Sequence, residues 1–596
     1  MDAQAAAATL ARLERRLLDG RTSAGHWVGE LSSSALSTAT AVGALALARR
    51  AGLDVPDVLL GGGRRWLARN RNRDGGWGDT VHSASNLSTT ALVWGAFGLA
   101  GITDAAESHA EAEAEAWLER AAGGLDARRV AAALDARYGA DRTFSAPILT
   151  FLAVSGRLGE DAWRRVAALP FELALISPRW LGALRLPVVS YALPALIAIG
   201  QVRHDRRPTR NPAVRLFRDF AQAPTLRTLL KMQPESGGYL EAVPLTSFVV
   251  LSLLASGRRD HPVVARGLGF LAETARPDGS WPIDSDLACW VTTLSVLALG
   301  REALPEADRR AVARWLLGCQ HRTLHPYTQA SPGGWAWTDR SGGVPDADDT
   351  AGALLVLAAL DEDDAVTREA ASAGVRWLLG VQNRDGGIPT FCRGWGALPF
   401  DRSSPDLTAH ALRAWMAWRS RLPGSEGERI DRVLPRAMRY LARAQHPDGA
   451  WVPLWFGNEA APHEENPTYG TARVLPALAA VAALRPEAVS LLERGRDWLL
   501  RAQHADGGWG GAPGVTPTIE ETGLALTALA AVPGDRVAEA VRRGVAWIVE
   551  RTDGGRTTPA APIGLYFARL WYSETLYPLI FAVEGLRAAR STGAAV

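Results

Sequence analysis

Between its Gly-rich turns, this 596-residue chain places apolar residues at the three- and four-residue spacing that gives one face of an α-helix. The segments TARVLPALAAVAAL (471–484) and ETGLALTALAAV (521–532) are typical of this pattern. Regular alternation of apolar and polar residues, which would predict β-strands, is nearly absent. The pattern therefore predicts an all-α protein.

A Gly-rich turn recurs between these predicted helices. Its form is an aromatic residue and Leu, then Gln, then Asp-Gly-x-Trp, and from the second copy the spacing is about 50 to 65 residues, typical of repeat arrays. We expect each repeat to be a helix pair whose Trp stacks on the Gln side chain and on the next helix. The copies are RWLARNRNRDGGW (65–77), GFLAETARPDGSW (269–281), RWLLGCQ with SPGGWAW (314–337), RWLLGVQNRDGGI (376–388), RYLARAQHPDGAW (439–451) and DWLLRAQHADGGW (497–509).

Arrays of helix pairs either stay open as solenoids or close into α/α-barrels. Open solenoids bind other proteins along a concave face, whereas closed barrels enclose a pocket. The 22 Trp residues favour a bulky apolar lining over a polar groove for such a pocket.

Composition narrows the class of protein further. The 65 basic and 63 acidic residues give a formal charge of +2, which argues against a nucleic-acid partner. Cys289, Cys319 and Cys392 lack CxxC spacing, so neither a disulfide framework nor a zinc site is indicated. Charges interrupt the N-terminal segment, so no signal peptide is expected, and the longest apolar stretch (186–200) is shorter than a bilayer span. A reducing cytoplasm fits this composition.

The segment SGGVPDADDT (341–350) places three aspartates in four positions directly before an apolar run. One Asp would suffice to cap a helix that begins near Thr350. Like charges this close repel one another, so at least one carboxyl should have a raised pKa. A carboxylic acid that keeps its proton in a dry place is a Brønsted acid.

These repeats resemble the QW motifs of the squalene-hopene cyclase and oxidosqualene cyclase superfamily, and PDADDT resembles its DxDD motif. The resemblance extends from GHWVGEL (25–31) to LYPLIFAVEGL (576–586). It implies a fold of two α/α-barrel domains. Residues 1–24 would pack on the second domain, 25–280 would form the first, inserted barrel, and 281–596 the second barrel with the acid.

The resemblance also implies roles for individual residues. Asp348 is expected to protonate a terminal alkene, with Asp346 and Asp349 as supports. His410, in PDLTAHALRAW (405–415), is expected to hydrogen-bond this acid as a cationic imidazole that stabilises the carboxylate. Tyr469, in PTYGT (467–471), matches a tyrosine on the proton-supplying side. No metal and no cofactor are implied.

A carbocation needs stabilisation without a nucleophile, which aromatic faces provide. Trp337 matches an aromatic below the acid, and Phe391 matches either of two neighbouring family positions. The full set of expected substrate-binding residues is Trp337, Trp290, Tyr191, Phe391, Tyr566, Trp571 and Tyr572.

The chain also departs from the family pattern. Ile388 stands where a repeat Trp is expected, and Leu570 and Ser573 stand where tyrosines are usual. ELSSSALSTAT (30–40) has hydroxyls where hopene-forming enzymes carry an acidic residue. The sequence therefore predicts the initiating chemistry better than the product.

The leading hypothesis is a class II cyclase of squalene or a close triterpene relative. A class II cyclase of a prenyl diphosphate, such as geranylgeranyl diphosphate, would need basic groups at the far end of the pocket. A zinc prenyltransferase β-subunit would need a Cys, Asp and His constellation that is not apparent. A non-catalytic helical scaffold would leave Asp348 with His410 unexplained.

The expected partners follow from an apolar isoprenoid substrate. Such a substrate resides in the bilayer, so we expect a monotopic or peripheral protein on the cytoplasmic face of the membrane. The segment 211–232 mixes Arg with Leu and Phe and fits membrane contact or an ordinary core helix equally well. The resemblance allows a homodimer.

Overall fold

The computed structural model describes residues 3–139, 142–184, 189–326, 328–361, 364–393, 399–532, 534, 536–565 and 569–592. Twenty-four α-helices lie within these residues, which confirms the predicted all-α class. The helices of the first half are α1 (Ala3–Asp19), α2 (Ala35–Arg50), α3 (Asp57–Arg69), α4 (Leu87–Ala100), α5 (Ala105–Ala122), α6 (Ala127–Tyr138), α7 (Arg142–Val154), α8 (Ala162–Arg165), α9 (Pro178–Ala183), α10 (Val189–Arg206), α11 (Pro212–Met232), α12 (Val243–Ala255) and α13 (Pro262–Glu273).

The second half continues in the same way, with five short strands in the described residues as the only sheet structure. Its helices are α14 (Ala288–Ala303), α15 (Glu306–Gly318), α16 (Ala347–Leu360), α17 (Ala365–Val381), α18 (Pro405–Trp418), α19 (Gly424–Ala444), α20 (Pro467–Val481), α21 (Glu487–Ala502), α22 (Ile519–Ala530), α23 (Val537–Arg551) and α24 (Tyr577–Ser591). The strands are β1 (Ser33–Ser34), β2 (Trp281–Pro282), β3 (Phe456–Gly457), β4 (Ile563–Leu565) and β5 (Leu570–Tyr572).

Alternate helices of the second half form a closed ring. The contacts run from α14 to α16, α18, α20, α22 and α24, and α24 returns to α14. The ring helices are buried on nearly all sides, whereas the intervening helices, such as α19, bury a single face. Helix α1 packs on α24, α23 and α14, so the N-terminal helix contacts the C-terminal part of the chain.

The first half forms a second ring from α2, α4, α7, α10 and α12, which closes where α12 packs on α2. Two large clusters of buried apolar residues correspond to the two rings. Ile283, Trp337 and Trp455 are partly buried and pack against both clusters. These three side chains therefore mark the region where the two rings meet.

Hydrogen bonds hold the repeat turns and fix where each ring helix begins. In the turn before α16, the Trp335 backbone N–H donates to Thr350 Oγ1 (3.0 Å), and its indole N–H donates to the Leu316 carbonyl (2.7 Å). The Gln320 amide donates to the carbonyls of Gly333 and Ala370. These hydrogen bonds join the turn to its neighbours.

The same backbone bond to a helix Thr recurs in the other turns. It also forms at Ile388, whose N–H donates to Thr408 Oγ1 (2.9 Å), so the missing Trp leaves the turn intact. The other pairs are Trp27 with Thr292, Trp77 with Thr90, Trp281 with Thr38, Trp451 with Thr471, and Trp509 with Thr522.

Candidate active site

The three aspartates form the first turn of α16, and each has a different environment. Asp346 is the N-cap, whose Oδ1 accepts from the Asp349 backbone N–H (2.8 Å). Asp346 and Asp349 are buried, while the Asp348 side chain is 15% exposed. One aspartate therefore caps the helix, as its position predicts, and Asp348 is the most accessible carboxyl of the three.

Burial changes the ionisation of the two supporting carboxyls. It raises the pKa of Asp346 to about 7 and raises the pKa of Asp349 well above its ordinary value, to which the adjacent charge of Asp346 adds. Asp346 Oδ2 and Asp349 Oδ1 are buried without a hydrogen-bond partner in the described part of the chain. Both groups therefore hold their protons to a higher pH than an ordinary aspartate does, and they titrate as a pair.

His410 reaches the acid from the neighbouring ring helix α18. Its Nδ1 lies 2.5 Å from Asp348 Oδ1, the partner that the resemblance implied. Burial lowers the pKa of His410, although Asp348 opposes this change. Burial therefore works against the expected cationic imidazole, while the contact of Nδ1 with Asp348 favours it and orients the carboxyl.

Two charged residues near the acid were not singled out from the sequence. Asp406 lies one turn before His410, and burial together with the charge of Asp348 raises its pKa to about 6. Arg473 lies one turn after Tyr469 on α20, with its guanidinium carbon 5.8 Å from the centroid of that ring. Helical spacing of four residues from a predicted site residue is the signal that could have found both.

An acid-side cluster of aromatic rings surrounds Asp348 and His410. The Trp290 ring lies 6.3 Å from the His410 ring and stacks on Phe456 at 6.2 Å, and Phe456 lies 4.7 Å from Tyr469. The Trp290 indole N–H donates to Tyr577 Oη (2.9 Å). The acid-side cluster is Trp290, Phe456, Tyr469, Tyr572 and Tyr577, of which Phe456 and Tyr577 were not predicted.

A second, inter-ring cluster lies where the two rings meet. Tyr191 stacks on Phe391 at 4.6 Å, and Trp337 contacts Phe391 at 6.2 Å. The Trp337 carbonyl accepts from the Cys289 and Trp290 backbone N–H groups, which ties this cluster to the start of α14. The inter-ring cluster is Tyr191, Trp337, Phe391, Phe400 and Trp455; Phe400 and Trp455 were not predicted.

The remaining expected aromatic residues, Trp571, Tyr572 and Tyr566, do not all lie at the acid-side cluster. Tyr572 and Trp571 are adjacent on β5, so their side chains point to opposite faces of the strand. Tyr572 Oη lies 3.2 Å from Tyr577 Oη, whereas Trp571 packs over Gly564. Trp571 is therefore directed away from the acid-side cluster. Tyr566 lies outside the described residues.

The hydroxyls near the N-terminus have structural partners. Ser34 Oγ caps α2, and Thr38 Oγ1 donates to the Ser34 carbonyl (2.7 Å) and accepts from the Trp281 N–H. A carboxyl that sequence reasoning did not consider, Asp284, interacts electrostatically with Tyr572. Burial and the charges of Glu241 and Asp286 raise the pKa of Asp284 well above its ordinary value.

The candidate site therefore combines a carboxyl on one ring helix, a histidine on the next that contacts it, and a neighbouring cluster of aromatic rings. The Squalene-hopene cyclase C-terminal domain model matches residues 287–583, and the N-terminal domain model matches residues 10–134. These two models together cover most of the chain. The chain belongs to the squalene-hopene cyclase superfamily of class II terpene cyclases.

Individual relatives differ in how much of their length the chain matches. It is 27% identical to the Alicyclobacillus acidocaldarius squalene--hopene cyclase over 98% of both chains. It is 27% identical over 94% of its length to the Humicola fuscoatra terpene cyclase-glycosyl transferase fusion protein fsoA, but spans only 48% of that protein. It is 30% identical to the drimenyl diphosphate synthase of Streptomyces showdoensis over 54% of this chain and 55% of that protein.

A solved structure supports the fold. The ent-copalyl diphosphate synthase from Streptomyces platensis superposes with a TM-score of 0.62, covering 99% of both chains at 19% sequence identity. The likeness at this identity shows the shared two-barrel helical architecture and leaves the substrate open.

Proposed function

We propose that this protein cyclises squalene or a close triterpene relative, starting with proton transfer from Asp348. The observation that carries the proposal is the 2.5 Å contact of Asp348 with His410, beside the acid-side cluster. The Asp348 carboxyl gives its proton to one carbon of a terminal alkene, where a C–H bond forms. The other alkene carbon becomes a tertiary cation, and the electron pairs of further double bonds close the rings.

The surroundings of Asp348 support this chemistry. The rings of Trp290, Phe456 and Tyr469 offer π-faces, each of which stabilises a cation by roughly 0.5 to 2 kcal/mol. They carry no strong nucleophile that the cation would alkylate. The reaction ends when the last cation loses a proton to give an alkene, or when it captures water and the resulting oxonium ion loses a proton to give an alcohol. Either route releases the one proton that Asp348 supplied, so charge balances.

The drimenyl diphosphate synthase relative favours a second candidate, a class II cyclase of a prenyl diphosphate. The squalene substrate is preferred because the match to a squalene--hopene cyclase extends over 98% of both chains. To test which substrate class is correct, the enzyme is incubated separately with squalene, a functionalised squalene and geranylgeranyl diphosphate. Mass spectrometry and NMR then identify the products. Turnover of geranylgeranyl diphosphate alone would transfer the protein to the second class.

We further propose that the main product is not hopene. Ser34 caps α2 and the Thr38 hydroxyl bonds to the Ser34 carbonyl and the Trp281 N–H, so both are occupied. Leu570 and Ser573 stand where two tyrosines are usual, so late cations are less well stabilised. In the same incubations we expect either products with fewer rings from squalene or a main product that derives from a different substrate. Hopene as the dominant product would contradict this proposal.

We also propose that the protein rests on a membrane surface. No helix in the described ranges combines the length and apolar character needed to cross a bilayer. Instead, an apolar patch is exposed on α9, on α11 and on the turn before α9, with Leu216 72% and Phe220 69% exposed. The apolar patch is Leu173, Ile176, Trp180, Leu184, Val214, Leu216, Phe217 and Phe220.

The surroundings of the apolar patch suit an anionic bilayer. Exposed Arg179, Arg210 and Arg215 lie beside it in the sequence, and Ala221, Thr225 and Leu229 bury the opposite face of α11. In liposome flotation with anionic lipid, Leu216→Ser with Phe220→Ser should reduce binding about tenfold or more. Val58→Ser, at an equally exposed site on α3, should leave it unchanged. Equal flotation of all three proteins would exclude this surface.

A further inference from the structure

The outer edge of strand β5 is bound by residues from the first half of the chain. On its other edge β5 pairs with β4. On the outer edge the Trp571 N–H donates to Asp79 Oδ2 (2.9 Å). Two residues further on, the Ser573 N–H donates to Ser32 Oγ (3.0 Å). Alternate residues of a strand present their backbone groups to the same edge, so these two bonds hold the chain on either side of Tyr572.

Asp79 belongs to the repeat turn that precedes α4, and several contacts fix it there. Its backbone carbonyl accepts from the Ala35 N–H at the start of α2 (3.0 Å). Its Oδ1 accepts from the side-chain amide of Asn86, the N-cap of α4 (2.8 Å), and from the Thr89 hydroxyl. Asp79 is 1% exposed. Two of its side-chain donors therefore come from its own ring, while the third, the Trp571 N–H, comes from the second half of the chain.

The residue that these bonds hold in place, Tyr572, is part of the acid-side cluster. Its Oη lies 3.2 Å from Tyr577 Oη, which accepts from the Trp290 indole N–H (2.9 Å). The Trp290 ring contacts the ring of His410, which is the partner of Asp348. A continuous series of contacts therefore joins the outer edge of β5 to the candidate acid.

We propose that Asp79 is a positioning residue that sets the place of the Tyr572 ring in the acid-side cluster through its bond to the Trp571 N–H. Its effect on catalysis rests on the proposed function. A buried carboxyl is costly to desolvate, and a Leu of the same shape would fill the space without binding the strand. Without this acceptor the Trp571 N–H loses its partner, and the edge of β5 shifts. An aromatic face displaced by about 1 Å no longer meets the developing cation correctly.

The first experiment measures kcat, KM and the product ratio of the full-length protein on the polyprene that the wild type converts. Asp79→Leu should lower kcat about tenfold and increase the share of partly cyclised products, with KM changed less than about twofold. Asp79→Asn keeps one acceptor oxygen and should recover most of the rate. An unchanged product ratio in Asp79→Leu would overturn the role of Asp79.

The matched control is Asp74→Leu, because Asp74 lies in the same turn and its carboxyl also accepts three hydrogen bonds. The donors are the Gly76 N–H (3.1 Å), the Ser85 hydroxyl (2.6 Å) and the Trp117 indole N–H (3.0 Å), all within the first half of the chain. Asp74→Leu should therefore leave the product ratio unchanged. The same change of ratio in both variants would mean that any damage to this turn has the effect, and would overturn the assignment to Asp79.

A double-mutant cycle separates positioning from a general loss of stability. If Asp79 acts through Tyr572, Asp79→Leu should change the product ratio less than about twofold in protein that already carries Tyr572→Leu. Effects of the two substitutions that simply add would show that Asp79 acts by another route.

The last experiment does not depend on turnover. Hydrogen–deuterium exchange of the peptide that covers β5 should be about tenfold faster in Asp79→Leu than in the wild type, and unchanged in Asp74→Leu. In protein labelled with fluorotyrosine, the fluorine NMR signal of Tyr572, assigned with Tyr572→Phe, should shift in Asp79→Leu and stay in place in Asp74→Leu. Unchanged exchange with an unshifted signal would overturn the inference.

Two other outcomes are also decided by these measurements. If Asp79→Leu does not fold, Asp79→Asn paired with Asp74→Asn gives the same comparison with a smaller effect. A wild type that cyclises no polyprene would remove the proposed function, and the exchange rate with the fluorine signal would still decide whether Asp79 positions Tyr572.

Discussion

Helices α16 and α22 lie opposite each other in the six-helix ring, and their N-termini have the same backbone arrangement. In each, the N–H of the turn Trp donates to a helix Thr: Trp335 to Thr350, and Trp509 to Thr522. Each helix then carries two adjacent acidic residues in the same register, two and three positions after the N-cap.

The acidic pairs of α16 and α22 differ in their hydrogen-bond partners. Asp348 meets the imidazole of His410 at 2.5 Å. Glu520 instead accepts a backbone N–H from Ala561 (2.9 Å), and burial with the charge of Glu521 raises its pKa to about 8. Both positions hold a carboxyl, but only the first faces a histidine on the next ring helix. The comparison teaches that the neighbouring helix, rather than the acidic motif alone, creates an acid that can react.

The largest expected effect is on the acid itself. Asp348→Asn should lower cyclisation about 10³-fold or more, because the amide has the same shape but does not protonate an alkene. Glu520→Gln, the same kind of change at the matching position of α22, should leave the rate within about twofold. Product formed per enzyme, with circular dichroism to verify folding, measures both. Turnover of Asp348→Asn near the wild-type rate would refute the assignment.

Removal of the histidine tests the difference between the two helices. His410→Ala should slow cyclisation about 10²-fold, because Asp348 loses the group that orients it. His504→Ala, at a half-exposed histidine on another repeat turn, serves as the control and should be neutral. An unchanged rate for His410→Ala would mean that His410 only fills space in the barrel.

A smaller effect is expected from the aromatic ring that contacts His410. Trp290→Leu should lower the rate about tenfold and increase the share of partly cyclised products, since one cation-stabilising face is lost. Tyr577→Phe keeps its ring and loses only the hydroxyl contacts with Trp290 and Tyr572, so a change of less than about threefold is expected. Chromatographic product profiles would show whether Trp290 stabilises a cation. Identical profiles for Trp290→Leu and wild type would count against this role.

The smallest effect on activity is expected for Glu520→Gln, which should nevertheless change the thermal stability of the protein. Because the folded protein holds a proton on Glu520 up to about pH 8, while the unfolded chain releases it near its ordinary value, Glu520 makes the protein less stable as pH rises through this interval. Glu520→Gln should therefore raise Tm at pH 8 and leave it unchanged at pH 4. Thermal unfolding at the two values tests this, and parallel Tm curves for the two proteins would contradict it.

The hydrophobic pattern predicted the helical repeats, and the resemblance of two local motifs to the family implied the contact of Asp348 with His410. They did not reach Phe456, Tyr577 or Arg473, because the side of a ring helix that faces the acid depends on how the ring closes. The cationic state expected of His410 stays a prediction, because burial lowers the pKa of this imidazole whereas the contact with Asp348 raises it.

The alternation of strand faces explains another difference. Trp571 and Tyr572 were both expected at the substrate, yet adjacent strand residues point to opposite sides, and only Tyr572 joins the acid-side cluster. The predicted all-α class gave no reason to expect a strand there. The prediction did not include the short sheet of β3, β4 and β5. For the site, this was its most important omission.

Helix α1 has a consequence for how the chain acquires its structure during synthesis. Its apolar face, with Leu10, Leu13 and Leu17, packs on helices near the C-terminus, and Arg587 at that end forms an ion pair with Glu14. A ribosome therefore releases the first helix long before its binding surface exists. We expect the second barrel to complete late, after translation of α24, with α1 exposed to chaperones in the interval.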